Sequence, residues 1–189
     1  MMEETSMKVL ILGGVAAGTK TAAKWKRMDR SAQVTVLTRD SEISYAGCGL
    51  PYYVGGLIEE RDELIVNTPA QYAALTGVQV LTGWEAFHVD PAKKAVSARN
   101  VRTGEESTYD YDKLVIAVGA SAVKPPVPGT DKQGVFVMRT PDDAEAIRTY
   151  VKENSVRRAV VIGGSFIGLE AAENLQTLGL TVTVADMAS

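Results

Sequence analysis

The chain of 189 residues contains a single cysteine, Cys48, which lies between two glycines in the stretch Ser44–Tyr53. A cysteine thiolate can act as a nucleophile and as a redox group, and small neighbours would admit a flat ring or a thiol-sized substrate. A helix that begins at Leu50, with Pro51 in its first turn, would also bring a positive helix end towards the sulfur. The alternative is a buried structural cysteine that packs as a small hydrophobic side chain, and the cysteine by itself favours that alternative.

The elements before Cys48 have the pattern of a nucleotide-binding unit. The apolar run Lys8–Leu12 predicts a strand, which is followed by a glycine-rich turn, Gly13–Gly18. A helical pattern runs from Thr19 to about Met28, and Val34–Leu37 predicts the next strand. Strand, glycine turn, helix and strand in this order form the dinucleotide-binding βαβ unit, whose exposed backbone N–H groups can hold a pyrophosphate.

The same pattern occurs a second time near the carboxyl end of the sequence. Arg157–Ile162 predicts a strand, Gly163–Gly168 forms the turn, and Leu169–Leu178 predicts a helix that closes at Gly179. The run Thr181–Ala185 predicts the strand that completes the unit.

Both turns depart from the usual glycine fingerprint at its middle position, where Val15 and Ser165 replace glycine. One partial match would be weak evidence, and the alternative for either copy is an α/β unit without a nucleotide. Two copies, with a cysteine after the first, favour nucleotide binding. We therefore predict an α/β fold with two Rossmann-type βαβ units and a small β-rich insertion between them.

The residue at the end of the second strand distinguishes the two copies. Asp186 has this position in the second copy, where a carboxylate accepts hydrogen bonds from a ribose and repels a 2′-phosphate. Residues 187–189 include no arginine or lysine, so the sequence predicts a preference for NADH over NADPH. In the first copy the corresponding position is close to Thr38, which carries no charge. Arg39 and Asp40 follow, and Asp40 could replace the missing carboxylate if the backbone bends.

The sequence between the copies is mixed. Short strands are predicted at Gln79–Thr82, Ala95–Ala98 and around residues 107–109, with turns at Asp90-Pro91 and Thr103-Gly104. Lys113–Gly119 predicts a continuous apolar strand that is buried on both faces of a sheet. A proline-rich connector, Lys124–Gly129, precedes a helix that is predicted from Thr140 to about Lys152, with Pro141 in its first turn.

Composition excludes several classes of protein. The net charge of −3 gives no reason to expect nucleic acid or an anionic membrane as a partner. A single cysteine excludes an internal disulfide framework and is typical of a reducing compartment. The start, Met1–Ser6, is polar and acidic, and apolar runs such as Val9–Leu12 are too short to cross a bilayer. We therefore expect a cytoplasmic protein that binds neither nucleic acid nor membrane.

Several segments together resemble one family. The two glycine turns, Tyr111–Ala120 and Pro125–Gly129 resemble the flavin-dependent pyridine nucleotide–disulfide oxidoreductases. The stretch Ser44–Tyr52 is similar to the single-cysteine branch of that family. This branch contains coenzyme A disulfide reductases, coenzyme A persulfide reductases, and NADH oxidases and peroxidases. The resemblance extends from Lys8 to Met187.

The resemblance implies two cofactors and a role for each turn. The first βαβ unit would bind FAD, the second would bind NAD(P)H, and Cys48 would be the catalytic cysteine that cycles between a thiolate and an oxidised form. No metal site is expected. The residues expected at the FAD site are Gly13, Gly14, Ala16, Ala17, Gly18, Thr38, Arg39, Ala117 and Gly119. Those expected at the NAD(P)H site are Gly163, Gly164, Ser165, Phe166, Ile167, Gly168 and Asp186.

One position discriminates within the branch. NADH oxidases and peroxidases carry a histidine in the first glycine turn, where this chain has Ala16. The only histidine, His88, lies in the β-rich middle and is interpreted as an ordinary surface or core residue. The resemblance therefore favours reduction of a coenzyme A disulfide or persulfide, with NADH oxidase or peroxidase activity as the alternative.

Three cations lie on one face of the helix after the first turn, because Lys20, Lys24 and Arg27 are spaced i, i+4 and i+7. The simple interpretation is a solvated helix face. The resemblance implies instead that these residues and Ser44 contact the coenzyme A moiety of a substrate. Gly47 replaces an asparagine that is common in the disulfide reductases, so one substrate contact differs.

The resemblance also implies a longer protein, which completes both nucleotide domains and adds a domain that forms a homodimer. The chain would then be an N-terminal portion that is inactive by itself. Within it we predict an FAD-binding part at residues 1–122, a connector and helix at 123–155, and the start of the NAD(P)-binding domain at 156–189. The alternative from another class is a nucleotide-binding module without activity.

Overall fold

The computed structural model describes residues 6–187, which pack as two units. The first unit contains the described residues up to 45 together with 65–120, and the second contains 46–64 and those from 121 onward. These units are defined by packing, whereas the predicted boundaries at 122 and 155 are defined by nucleotide binding, so the latter stay a prediction. The expectations for the amino-terminal sequence before Ser6, and for Ala188 and Ser189, lie outside the described residues.

Strands and helices alternate near both ends of the described chain, and five strands follow one another in its middle. The strands are β1 (Lys8–Leu12), β2 (Gln33–Thr38), β3 (Gln79–Thr82), β4 (Trp84–Asp90), β5 (Ala95–Asn100), β6 (Glu106–Asp110), β7 (Lys113–Ile116), β8 (Arg158–Ile162) and β9 (Thr181–Ala185). The helices are α1 (Ala16–Met28), α2 (Leu50–Val54), α3 (Pro69–Thr76), α4 (Pro141–Glu153) and α5 (Phe166–Thr177). Short 3₁₀ turns lie at Gly47–Gly49 and Arg61–Leu64. No helix within residues 6–187 is both long and apolar enough to span a membrane.

The first unit is built on a parallel sheet of four strands in the order β3-β2-β1-β7. Alternate residues of β1 enter two different cores, because successive side chains of a strand point to opposite faces. Val9 and Ile11 pack with residues of α1 and α3, whereas Leu10 and Leu12 pack with the antiparallel sheet β4-β5-β6. Burial on both faces explains why β1 reads as a continuous apolar run.

The predicted α/β class with a Rossmann-type parallel sheet and a small antiparallel sheet is confirmed. The strand expected at Lys113–Gly119 is wrong in two respects. It ends at Ile116, and in the described part of the chain it pairs with β1 alone, so it forms an edge of the sheet. In addition, Ile116 is 64% exposed rather than buried on both faces.

The second unit contains the parallel pair β8-β9, which α5 connects, together with α2 and α4. Both α4 and α5 contact α2. The predicted helix starts at Thr19 and Leu169 are wrong, because α1 begins at Ala16 and α5 at Phe166. In each copy the last residues of the glycine turn already have helical conformation.

Candidate functional site

The first glycine turn lies at the carboxyl end of the parallel sheet. The Gly13 N–H donates to the Leu37 carbonyl oxygen at 2.8 Å, and the Ala117 N–H donates to the Leu12 carbonyl oxygen at 2.8 Å. Gly13 has a φ of +107°, and a Cβ atom there would overlap the carbonyl oxygen of Ala117. The structure thus brings the turn, the end of β2 and the residues after β7 together at the edge where open α/β sheets bind ligands.

The remaining residues of this turn are placed by close packing. Gly14 is buried against the side chains of Thr38 and Ile43, and a Cβ atom on Gly18 would overlap the carbonyl oxygen of Gly13. The turn therefore runs tightly from β1 into α1. Among the other predicted FAD residues, Ala16, Ala17 and Gly119 are exposed at this edge of the first unit.

Thr38 is 6% exposed, and its hydroxyl accepts a weak hydrogen bond from the Asp40 N–H at 3.4 Å. Arg39 forms ion pairs with Asp40 and with Glu85, each at 3.6 Å. The contact with Glu85 was not predicted, because Glu85 belongs to β4, for which the sequence predicts no strand. An anionic ligand at Arg39 would compete with both carboxylates.

The second glycine turn repeats the geometry of the first. The Gly163 N–H donates to the Ala185 carbonyl oxygen at 2.8 Å, and Gly163 has the same φ of +107° as Gly13. In the strand registers, Leu12 pairs with Leu37 and Ile162 pairs with Ala185. Thr38 directly follows Leu37, and Asp186 directly follows Ala185, so Thr38 and Asp186 have equivalent positions in the two copies.

Asp186 contacts its own turn, because its carboxylate accepts a hydrogen bond from the Gly164 N–H. A Cβ atom on Gly168 would overlap the carbonyl oxygen of Gly163, as at the first turn. Ser165, Phe166 and Ile167 are exposed. The predicted NAD(P)H residues therefore lie together at one end of β8 and β9 in the second unit.

The helices that follow the two turns differ from the other long helices at their N-termini. In α3 and α4 a full capping box satisfies the first N–H groups, formed by Thr68 with Gln71 and by Thr140 with Asp143. In α1 and α5 the described side chains make no N-cap hydrogen bond, and neither first turn contains an acidic residue. Uncapped N–H groups beside a tight glycine turn fit a bound pyrophosphate.

The predicted cation stripe is exposed on α1. Lys20, Lys24 and Arg27 all face solvent, and within residues 6–187 none of them forms an ion pair. Ser44 belongs to the same unit and has a φ of +51°. Its N–H donates to the Gly14 carbonyl oxygen at 2.9 Å, which ties this residue to the first turn.

The thiol of Cys48 is exposed, so the alternative of a buried structural cysteine is wrong. Cys48 lies in the 3₁₀ turn Gly47–Gly49, directly before α2, and belongs to the second unit. The Gly49 N–H donates to the Ala46 carbonyl oxygen at 2.8 Å, and the Ala46 N–H donates to the Leu64 carbonyl oxygen at 2.8 Å. Pro51 lies in the first turn of α2, as predicted.

His88 was interpreted as an ordinary surface or core residue, and it is exposed on β4. In the described residues, no group of three or more His, Cys, Asp or Glu side chains is arranged to hold a metal ion.

Comparison with known proteins identifies relatives over nearly the whole chain. Residues 7–189 match the family described as pyridine nucleotide-disulphide oxidoreductase. An NADH oxidase from Methanocaldococcus jannaschii is 36% identical over 96% of this chain and 40% of its own length. A coenzyme A disulfide reductase from Staphylococcus haemolyticus is 32% identical over 94% of this chain and 40% of its own length.

A solved structure of an NAD-dependent persulfide reductase from A. fulgidus matches with a TM-score of 0.89 and 42% identity. It covers 94% of this chain and 33% of that protein. The chain thus spans about 40% of the length of the two curated relatives.

Proposed function

Because this chain belongs to the pyridine nucleotide–disulphide oxidoreductase family, we propose that the protein uses NADH and FAD to reduce a coenzyme A disulfide or persulfide at Cys48. Members of the family use FAD and NAD(P)H. The observation that carries the proposal is the exposed thiol of the only cysteine, in a glycine-flanked turn. Three of the relatives are named for NADH oxidase, coenzyme A disulfide reductase and persulfide reductase activities.

The first glycine turn fits FAD. Gly13 and Gly18 leave no room for side chains between the turn, β7 and α1, so a pyrophosphate could approach the backbone N–H groups of Gly14 and the start of α1. Thr38, at the ribose position, offers a hydroxyl in place of a carboxylate. Bound FAD would supply two-electron transfer between the nicotinamide and the substrate sulfur.

The second glycine turn fits NADH. Asp186 lies where a ribose diol would be recognised, and its carboxylate already accepts a hydrogen bond from Gly164 within the turn. A 2′-phosphate at this position would face a negative charge. We therefore propose that Asp186 selects NADH over NADPH.

The proposed reaction at Cys48 is a thiol–disulfide exchange. The thiolate of Cys48 would attack one sulfur of a coenzyme A disulfide, and the S–S bond of the substrate would break as the new S–S bond forms. One coenzyme A thiolate leaves and takes up a proton. Two electrons from NADH would then cleave the mixed disulfide, which releases the second coenzyme A thiol and regenerates the Cys48 thiolate.

The exposed stripe Lys20, Lys24 and Arg27 supports a phosphate-rich substrate. These side chains form no ion pair within the described chain, so binding coenzyme A phosphates would break none. Such contacts weaken with ionic strength, because exposed charges are screened. The Michaelis constant for coenzyme A disulfide should therefore rise with salt, and it should rise less steeply in Lys20→Gln/Lys24→Gln.

The NADH oxidase relative supports a second candidate, reduction of oxygen. Ala16 argues against oxygen reduction, because NADH oxidases and peroxidases of the single-cysteine branch carry a histidine at this position of the first turn. Oxygen consumption with NADH, measured with and without coenzyme A disulfide, separates the two activities.

The test of the proposal is an anaerobic titration of the protein. A bound flavin should bleach on addition of NADH and recover on addition of coenzyme A disulfide, with two thiols released for each NADH consumed. Cys48→Ser should keep the bleaching and lose the recovery. A colourless protein would instead favour a nucleotide-binding module without activity, and recovery in Cys48→Ser would exclude the cysteine mechanism.

A further inference from the structure

The loop after α2, residues 55–60, supports the turn that carries Cys48. The side chains of Ile58 and Leu64 press against Gly49, because a Cβ atom on Gly49 would lie 3.2 Å from Ile58 Cδ1 and 3.0 Å from Leu64 Cδ2. The N–H groups of Leu57 and Ile58 both donate to the Tyr52 carbonyl oxygen, at 2.9 and 3.2 Å. The position of Ile58 therefore helps to fix the residue next to Cys48.

Arg148 of α4 forms hydrogen bonds with this loop. Its Nη1 donates to the carbonyl oxygens of Ile58 and Glu59, at 3.2 and 2.8 Å. Its Cζ lies 4.5 Å from the ring centroid of Tyr53, which is buried in α2. One guanidinium thus contacts both the loop and the helix that follow Cys48, and a flat, forked cation is suited to making both contacts at once.

A second arginine strengthens the same attachment. Arg61 forms ion pairs with Asp142 and with Glu145 of α4, the latter at 2.9 Å. Arg61 begins the 3₁₀ turn that ends at Leu64. Both hydrophobic residues that press on Gly49 are therefore connected to α4 by an arginine.

We propose that Arg148 is a positioning residue for Cys48, acting through Ile58 and Tyr53 to fix the direction in which the thiolate meets a bound disulfide. The proposal rests on the function proposed above for Cys48. The contacts of Arg148 are with two carbonyl groups of the loop and with the ring of Tyr53, so it acts on the segment around Cys48 and not on the reacting sulfur itself. Because attack on a disulfide requires alignment with the S–S bond, loosening this backbone should slow that attack more than it slows reaction with a small, freely tumbling reagent.

The test compares two rate constants of the single cysteine in the same chain. One is the formation of the mixed disulfide with coenzyme A disulfide, and the other is alkylation by iodoacetamide. In Arg148→Gln the ratio of the first to the second should fall about tenfold. Arg148→Lys, which keeps the charge and N–H donors but loses the planar fork, should restore part of it. Arg157→Gln removes an exposed arginine of the same unit and is the matched control, with an unchanged ratio.

Amide hydrogen exchange separates positioning from general destabilisation. In Arg148→Gln the N–H groups of Gly49, Leu57 and Ile58 should exchange at least tenfold faster, while those of β8 and β9 keep their rates. Equal acceleration in β8 and β9, or unchanged exchange at these three amides, would overturn the proposal. If the unmodified protein shows no preference for coenzyme A disulfide over a simple disulfide, the substrate assignment fails, and the exchange data still decide the role of Arg148.

Discussion

Gly13 and Gly163 offer a matched pair of substitutions, because they have the same φ of +107° in equivalent turns. Alanine at either position would be strained by this backbone conformation, at a cost of about 1–3 kcal/mol. Their surroundings differ. A Cβ atom on Gly13 would overlap the Ala117 carbonyl oxygen and come within 2.7 Å of its carbonyl carbon. At Gly163, no described atom beyond the adjoining residues would lie within 4 Å.

The overlap at Gly13 adds a second cost, since inserting an atom into a packed site costs about 1–3 kcal/mol. Gly13→Ala should therefore lower the free energy of unfolding of the first unit by about 2–6 kcal/mol. Gly163→Ala should lower that of the second unit by about 1–3 kcal/mol. The difference between the losses of unfolding free energy in Gly13→Ala and in Gly163→Ala measures the contact between the first turn and the residues after β7. The proposed FAD site requires this contact.

Urea unfolding with two probes measures each unit separately. Both tryptophans, Trp25 and Trp84, lie in the first unit, so their fluorescence reports its unfolding. Hydrogen exchange of β8 and β9 reports the second unit. Equal losses for the two variants would show that backbone strain alone matters, and a smaller loss for Gly13→Ala would contradict the packing of the first turn.

Three further predictions follow from single side chains. Asp186→Ser should reduce the preference for NADH over NADPH by about 1–3 kcal/mol, because the substitution removes a charge-assisted hydrogen bond of about that strength. The preference is measured as the ratio of kcat/KM for NADH to kcat/KM for NADPH, and an unchanged ratio would exclude Asp186 as the selector. Burial raises the pKa of Tyr72 in the folded protein, so its hydroxyl ionises at a lower pH in the unfolded chain than in the folded one. The free energy of unfolding should therefore fall as the pH rises above about 10. Tyr72→Phe should remove that part of the alkaline loss in urea unfolding, and an unchanged pH profile would contradict this. Thr140→Ala should lower the free energy of unfolding of the second unit by about 1 kcal/mol, because it removes the side-chain oxygen that caps α4. Hydrogen exchange of α4 measures this loss. Thr130→Ala, in the same unit, is the control, since Thr130 caps none of the helices described above.

The sequence predicted the elements whose pattern is local. β1 has the predicted bounds, because a parallel strand buried on both faces leaves a continuous apolar run. β2 extends the predicted strand by one residue at each end. α4 begins at Pro141 directly after its cap, Thr140, which the proline in the first turn indicated. β4 was missed, since its pairing with β5 shifts register between Ala86 and His88 and blurs the alternation.

Tertiary contacts explain what the sequence could not predict. The same kind of apolar run gave β1 in the middle of a sheet and β7 at an edge, and only the sheet order separates them. Most predicted residues of each nucleotide site lie together because each glycine turn fixes its own neighbours. Arg148 carries no motif, and its role depends on two carbonyl groups that lie far away in sequence.

Intact mass spectrometry of the protein after incubation with coenzyme A disulfide tests the central claim most directly. Because Cys48 is the only cysteine, any mixed disulfide must form there. We predict one coenzyme A adduct per chain, removed by a thiol reductant and absent in Cys48→Ser. Its formation should be at least tenfold faster than with a small uncharged disulfide, because we propose that the protein binds the coenzyme A moiety before the exchange. No adduct, or equal rates with the two disulfides, would contradict the assignment of a coenzyme A substrate to Cys48.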